Sequence, residues 1–135
     1  MRTERLAAWG SVAVVAAAIV LGLSIIGSPA EQRRLRLDER RVFDLRGLSG
    51  SINRYWNERH ELPTRAEDVI DGRLMTELPL DPESKQPYEY RVTPGGYDLC
   101  ANFSRRSAVG SNDFWFHEAG RRCFSFDAAK NAYSR

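Results

Sequence analysis

Residues 6–30 carry no charged side chain, and within them runs LAAWGSVAVVAAAIVLGLSIIG. A helix needs about 20 mainly apolar residues, at 1.5 Å each, to cross a hydrocarbon core. The sequence therefore predicts a transmembrane helix over 6–28, preceded by a short tail, 1–5. Trp9 stands near its start, where an indole favours the membrane interface. Gly10 and Gly22 are too far apart for a GxxxG pair, so no helix-dimer motif is read here. A cleaved signal peptide is the rival reading. Ser28-Pro29-Ala30 loosely fits a cleavage site, and Arg2 and Arg5 give a charged start. The apolar run exceeds the roughly 7–15 residues of a signal peptide's apolar region, which favours an anchor.

Orientation pulls two ways. Arg2 and Arg5 precede the span, whereas Arg33, Arg34, Arg36, Arg40, Arg41 and Arg46 follow it. Counted simply, the positive-inside rule puts the rest of the chain in the cytoplasm, but the rule weakens for whole translocated domains. The chain's 2 cysteines, read below as a disulfide pair, favour the other side. The expectation is a single-pass protein of the cell inner membrane, with a soluble domain over 29–127 in the periplasm and a flexible tail over 128–135.

The formal net charge is +2 and charged residues make up 28%, an ordinary surface with no case for nucleic acid. The arginines after the span are interleaved with Glu31, Asp38, Glu39 and Asp44. They read as a solvated helix face, or as a surface for anionic lipid headgroups beside the anchor.

Pro29 calls for a kink or helix restart, with Ser28 as cap and Glu31 three residues on. Leu35, Val42, Leu45, Leu48, Ile52 and Tyr55/Trp56 then recur at helical steps as far as about Arg59. Gly47 and Gly50 weaken that helix, and their small size would let a neighbour approach. Leu62-Pro63 ends it. Thr64 with Glu67 predicts a capped short helix over 66–70, closed by Asp71-Gly72. Leu78-Pro79-Leu80-Asp81-Pro82 reads as an extended loop. Residues 88–92 and 97–103 alternate around the turn Thr93-Pro94-Gly95-Gly96, a hairpin, and 122–126 form a third strand.

Cys100 lies mid-strand and Cys123 begins the third strand. There is no CxxC and no cluster of histidines, so a metal site is not expected. A disulfide, worth about 3 kcal/mol to a core this small, is the favoured reading over two buried free thiols.

The chain resembles the pilin-like proteins, in particular the major pseudopilin of type II secretion. The residues that carry this are Tyr55 with Leu62-Pro63, Asp81-Pro82, Gln86-Pro87-Tyr88-Glu89-Tyr90 and Tyr97-Asp98-Leu99. In pseudopilins a D-P-x-G-x-P-Y-x-Y stretch joins helix to sheet; here Lys85 stands at the glycine. The chain is more similar still to an uncharacterised family of small single-pass membrane proteins. That family shares Gly27-Ser28-Pro29, Asp38-Glu39-Arg40-Arg41-Val42, Asp44-Leu45, Tyr55-Trp56, Leu99-Cys100-Ala101 and His117-x-Ala119-Gly120-Arg121-x-Cys123-Phe124. The resemblance covers nearly the whole chain. It implies an α+β, pilin-like fold: a long N-terminal helix, part in the membrane and part amphipathic, packed on a small antiparallel sheet of about three strands. Pro63, Asp81, Pro82, Pro87, Tyr88 and Tyr90 become family-motif structural residues. No activity is implied. The span also lacks the early Glu and the Gly-Phe junction of true pseudopilins, which counts against prepilin processing. Asn112 and Asp113 fall where the major pseudopilin binds calcium, but two oxygen ligands are far short of the 6–8 calcium takes.

No catalytic constellation is found: no HExxH, no GxSxG, no glycine-rich phosphate loop. His60 is placed at an exposed helix end and His117 in a loop, with a surface or hydrogen-bonding role. No enzyme and no cofactor is expected. Most aromatics read as packing between sheet and helix, while Trp115, Phe116, His117 and Arg121 are the candidate interaction surface. The leading expectation is a non-enzymatic, membrane-anchored structural or interaction module. Its partners would be the bilayer and other membrane or envelope proteins, or copies of itself. An orphan pseudopilin of a secretion or pilus assembly is the alternative. A sensor of a small ligand or peptide is the third, in which Trp115→Ala would abolish binding without unfolding.

Overall fold

A computed structural model describes residues 2–26, 28–107, 114–128 and 132–133; of residues 2–8, 23, 25–26 and 132–133 it describes the backbone alone. The chain divides into two compact units, 1–33 and 34–135.

The first unit holds α1 (Arg2–Ile26) and the start of α2 (Pro29–Arg59). The expected restart at Pro29 is present. The Ser28 hydroxyl accepts the Glu31 N–H at 3.2 Å, and the Gln32 N–H donates to the Ser28 carbonyl at 3.1 Å. Proline suits this first helical position because its missing N–H would have no partner there. Every side chain from 9 to 21 is exposed, with Trp9 at 74% and Val14 at 70%. Among the described residues no helix is long and apolar enough to cross a membrane. The side chains described in α1 are those of 9–22 and 24, a portion of the apolar run that begins at Leu6.

The second unit is α+β: the rest of α2, a 3-10 turn (Ala66–Val69) and an antiparallel sheet of β1 (Glu89–Thr93), β2 (Gly96–Phe103), β3 (Gly120–Asp127) and β4 (Ala132–Tyr133). The strands lie in the order β1-β2-β3-β4. Alternation decides which side chains face α2, because successive residues of a strand point to opposite faces. Tyr97, Leu99, Ala101, Phe103, Phe124 and Phe126 form the inner face and pack with Leu45, Leu48 and Ile52 of α2. The helical stripe read from the sequence is thus the buried one. The Tyr97 hydroxyl fixes the two layers by donating to Asn53 Oδ1 at 3.0 Å.

The hairpin turn is Pro94-Gly95, with Thr93 paired to Gly96. Proline first and a glycine at φ +95° second is the residue order of a type II turn. Gly96 is required for a different reason: a Cβ there would collide with the Phe126 backbone carbonyl of β3. Gly96→Ala is expected to separate β2 from β3 locally and cost about 1–3 kcal/mol, read as a lower denaturation midpoint.

Several expectations change. The sheet has a fourth, two-residue strand, β4, inside what was read as a flexible tail. Ala128, in the same stretch, is buried and its N–H donates to the Gly95 carbonyl at 3.2 Å. The domain therefore extends past 127. The short helix is opened by Asp68, whose carboxylate accepts the Arg65 N–H at 2.9 Å, rather than by Thr64 with Glu67. Gly47 and Gly50 face open space instead of a close neighbour. Asn112 and Asp113 lie outside the described residues.

Candidate functional site

Arg41 is the centre of a dense polar network, and it sits on the stripe of α2 that faces the sheet. Its residue is 3% exposed. Its guanidinium donates from Nε to Asp81 Oδ2 at 2.6 Å and from Nη2 to Asp81 Oδ1 at 3.2 Å. Nη1 donates to Asp38 Oδ1 and to Ser104 Oγ, each at 2.8 Å, and Nη2 to Glu83 Oε2 at 2.9 Å. The acceptors are engaged in turn. Asp38 takes the N–H groups of Ser104 and Arg105, and Asp81 Oδ1 those of Glu83 and Ser84. One turn along α2, buried Asp44 accepts the Tyr88 hydroxyl at 3.0 Å and pairs with Arg40. Among the described residues every buried side-chain nitrogen and oxygen has a partner. A buried charge is tolerated when its hydrogen-bonding capacity is met in this way.

These placements correct the solvated-face reading of the arginine cluster for Arg41, and of the interleaved acids for Asp38 and Asp44. Arg33, Arg34, Arg36 and Arg40 are exposed as expected. Asp81, placed in an extended loop by the sequence, fixes a turn beside Pro82 by accepting the Glu83 and Ser84 N–H groups. Burial alone would raise its carboxyl, but the Arg41 guanidinium and the Ser84 and Glu83 N–H groups overcome that and hold it at about 2. For Arg41, burial works against the charge and the surrounding carboxylates overcome it, so its pKa rises. Burial, then Asp44, pushes the Tyr88 phenol up. Lys85 closes the same turn at φ +60°, a left-handed conformation that suits glycine. Pro63 is buried, and its carbonyl accepts the Tyr90 hydroxyl at 2.8 Å. Pro87 is paired with Leu80 across the turn.

The outer face of the sheet carries the second feature. Cys100 and Cys123 are register partners on β2 and β3 and are joined as a disulfide. Arg121, two residues before Cys123, grips Glu89 of β1 from Nη2 at 2.8 Å and reaches Cys100 Sγ at 3.5 Å. That ion pair holds the Glu89 carboxyl below its usual range. Arg91 and the Ser125 hydroxyl do the same for Asp98 beside it.

The four candidate interaction residues are split by this geometry. Trp115, Phe116 and His117 come together on the helix side, whereas Arg121 belongs to the opposite face. Trp115 is 5% exposed and packs on Phe124 at 4.9 Å between ring centres, so it is a core residue. His117 is buried rather than on the surface, and its hydrogen-bonding role holds. Its ring stacks on Phe103 at 3.7 Å, its backbone N–H donates to Ser107 Oγ at 3.0 Å, and Nδ1 lies 2.9 Å from the Trp115 carbonyl. Nδ1 also lies 3.0 Å from the Ser107 hydroxyl, a group able to donate or to accept. His60 stands exposed just past the end of α2, as expected, at φ +55°.

Trp115→Ala therefore cannot remove a ligand contact alone. Truncating it is expected to cost about 3–5 kcal/mol of stability, measured as a fall in the thermal midpoint.

Between α2 and the 105–107 and 115–117 segments lies a groove of about 450 Å³, the site into which Trp115, Phe116 and His117 are gathered. Its walls are mostly apolar, and Arg46, Arg105 and Arg106 also line it. Among the described residues no group of three or more His, Cys, Asp or Glu is placed to hold a metal ion. No family model, no curated protein and no solved structure matches the chain.

Proposed function

We propose that the protein is a non-enzymatic interaction or structural module, held to a membrane by α1, with its disulfide-bonded domain on the extracytoplasmic side, the periplasmic face of an inner membrane. The observation that carries this reading is the exposure of the α1 side chains from 9 to 21. A helix apolar on all sides is unstable in water and needs a protein or lipid environment. The rest of the apolar run, from Leu6 to Ile26, gives it the length of a span. The Cys100–Cys123 bond supports the sidedness, since disulfides persist in oxidising compartments.

The test is thiol labelling in intact cells with a membrane-impermeant reagent, with and without reductant. Labelling that requires reductant but not cell opening supports the reading. Labelling that requires opened cells and no reductant overturns it and restores the cytoplasmic side suggested by the arginines.

An orphan pseudopilin is the second reading. It is favoured by the amphipathic helix laid on an antiparallel sheet and by the left-handed turn at Lys85. It requires cleavage near the N-terminus. A mature protein with the mass of the intact chain, Met1 to Arg135, argues against it.

A further inference from the structure

Near the start of α2, residues 32–37 read Gln-Arg-Arg-Leu-Arg-Leu, three arginines and no acid. Arg33, Arg34 and Arg36 are all exposed. Among the described residues none of the three makes an ion pair, whereas Arg40, Arg41, Arg54 and Arg91 each do. The cause is where the nearby acids are used. Asp38 stands four residues after Arg34, the spacing at which a helix pairs opposite charges. Its carboxylate is turned into the domain instead, onto Arg41 and the Ser104 and Arg105 N–H groups. Glu31 precedes the three in the first turn, where a carboxylate suits the positive end of the helix. Glu39 follows them and is exposed.

Arginines that their own fold leaves unpaired are open to a partner, and chain order says which. α2 begins at Pro29, close behind the apolar helix that ends at Ile26. Along α2 the three arginines stand about 6–11 Å from Pro29, at 1.5 Å per residue. Helical side chains lean toward the helix N-terminus, which brings the guanidiniums back toward that end. The attraction of an anionic lipid surface reaches about one Debye length, roughly 8 Å at physiological salt. A guanidinium also meets two phosphate oxygens at once, through two parallel N–H bonds.

We infer that Arg33, Arg34 and Arg36 bind the phosphate groups of anionic phospholipids in the leaflet at which α1 ends. The inference rests on the reading of α1 as a membrane anchor.

The full chain is reconstituted in phosphatidylcholine vesicles with a trace of lipid spin-labelled near the end of one acyl chain, either phosphatidylglycerol or phosphatidylcholine. Electron spin resonance separates lipid slowed at the protein surface from free lipid. The expected result is a preference of about fivefold for phosphatidylglycerol, the size of one arginine's attraction to an anionic surface. Replacing the three together (Arg33→Gln, Arg34→Gln, Arg36→Gln) should remove most of that preference. Arg2→Gln with Arg5→Gln, toward the other end of α1, should keep most of it. Salt at about 1 M should remove it from the unaltered protein, a result that depends on no variant's folding. Equal slowing of the two lipids, a preference that survives salt or the triple variant, or one lost only with Arg2 and Arg5 overturns the inference. No slowed lipid of either kind overturns the anchor itself, and the inference falls with it.

Discussion

Arg41→Met lowers the stability of the domain by about 3–5 kcal/mol, the usual result of removing one partner from a buried ionic network. For a domain of about 100 residues that is roughly 15–25 °C in melting temperature. The physical cause is the acids left behind. Asp38 and Asp81 are buried carboxylates that share the single positive charge of Arg41, and the backbone N–H groups they keep do not cancel their charge. Lysine at this position rescues little, because one ammonium cannot span Asp38, Asp81, Glu83 and Ser104 as a planar fork does. Thermal unfolding of the full chain in micelles, followed by near-ultraviolet dichroism, reads the packed aromatics of the domain, with Trp9 the one aromatic residue of α1. A loss below about 1 kcal/mol would mean the network contributes geometry and not stability.

The same network sets the acid limit. Asp81 has a native pKa of about 2 against an ordinary 3.8. A carboxyl depressed in the folded state stabilises the protein above its unfolded pKa, and that stabilisation disappears as pH falls through the folded value. The contribution is thus full above about pH 4, wanes toward pH 2, and amounts to about 2 kcal/mol. Asp81→Asn should flatten the stability profile in that window and lower the plateau above it.

Reduction of Cys100–Cys123, or its replacement by a pair of alanines, also lowers stability substantially. The bridged residues are 23 apart in sequence, and the loop-entropy estimate for such a loop is about 3 kcal/mol. The bond lies on the outer face, away from the aromatic core, so reduction leaves that core packed. The expected observation is a midpoint roughly 15 °C lower with reductant, with the near-ultraviolet spectrum unchanged at 20 °C below the new midpoint. A reduced protein without that spectrum would show that the bond holds β2 and β3 in register and does more than shorten the unfolded chain.

What could be read from sequence was what repeats. The period of 2 in β1, β2 and β3, and the step of three and four in α2, placed strands, hairpin, helix face and the Cys100–Cys123 pairing. Arg41 escaped because it stands in a run of arginines, and its burial is set by Asp81 and Ser104, 40 and 63 residues away. A signal was present: Asp38, Arg41, Leu45 and Leu48 keep the helical step, so the charges occupy positions of the buried stripe. Trp115 sits in a loop without period, so nothing local distinguished an anchor of the core from a surface contact. Arg121 lies four residues from His117 in sequence, yet it projects from the other side of a strand that begins between them.

The separation of Arg41 from its partners also bears on how slowly the domain comes apart. Bonds spanning 40 and 63 residues need long loops to close first, and the expectation tested below is that they form after the rate-limiting barrier. Stabilisation gained after the rate-limiting barrier acts chiefly by retarding escape from the native state. The buried arginine is therefore a latch on lifetime. In a rate-against-denaturant plot Arg41→Met should raise the unfolding limb and leave the refolding limb nearly where it was.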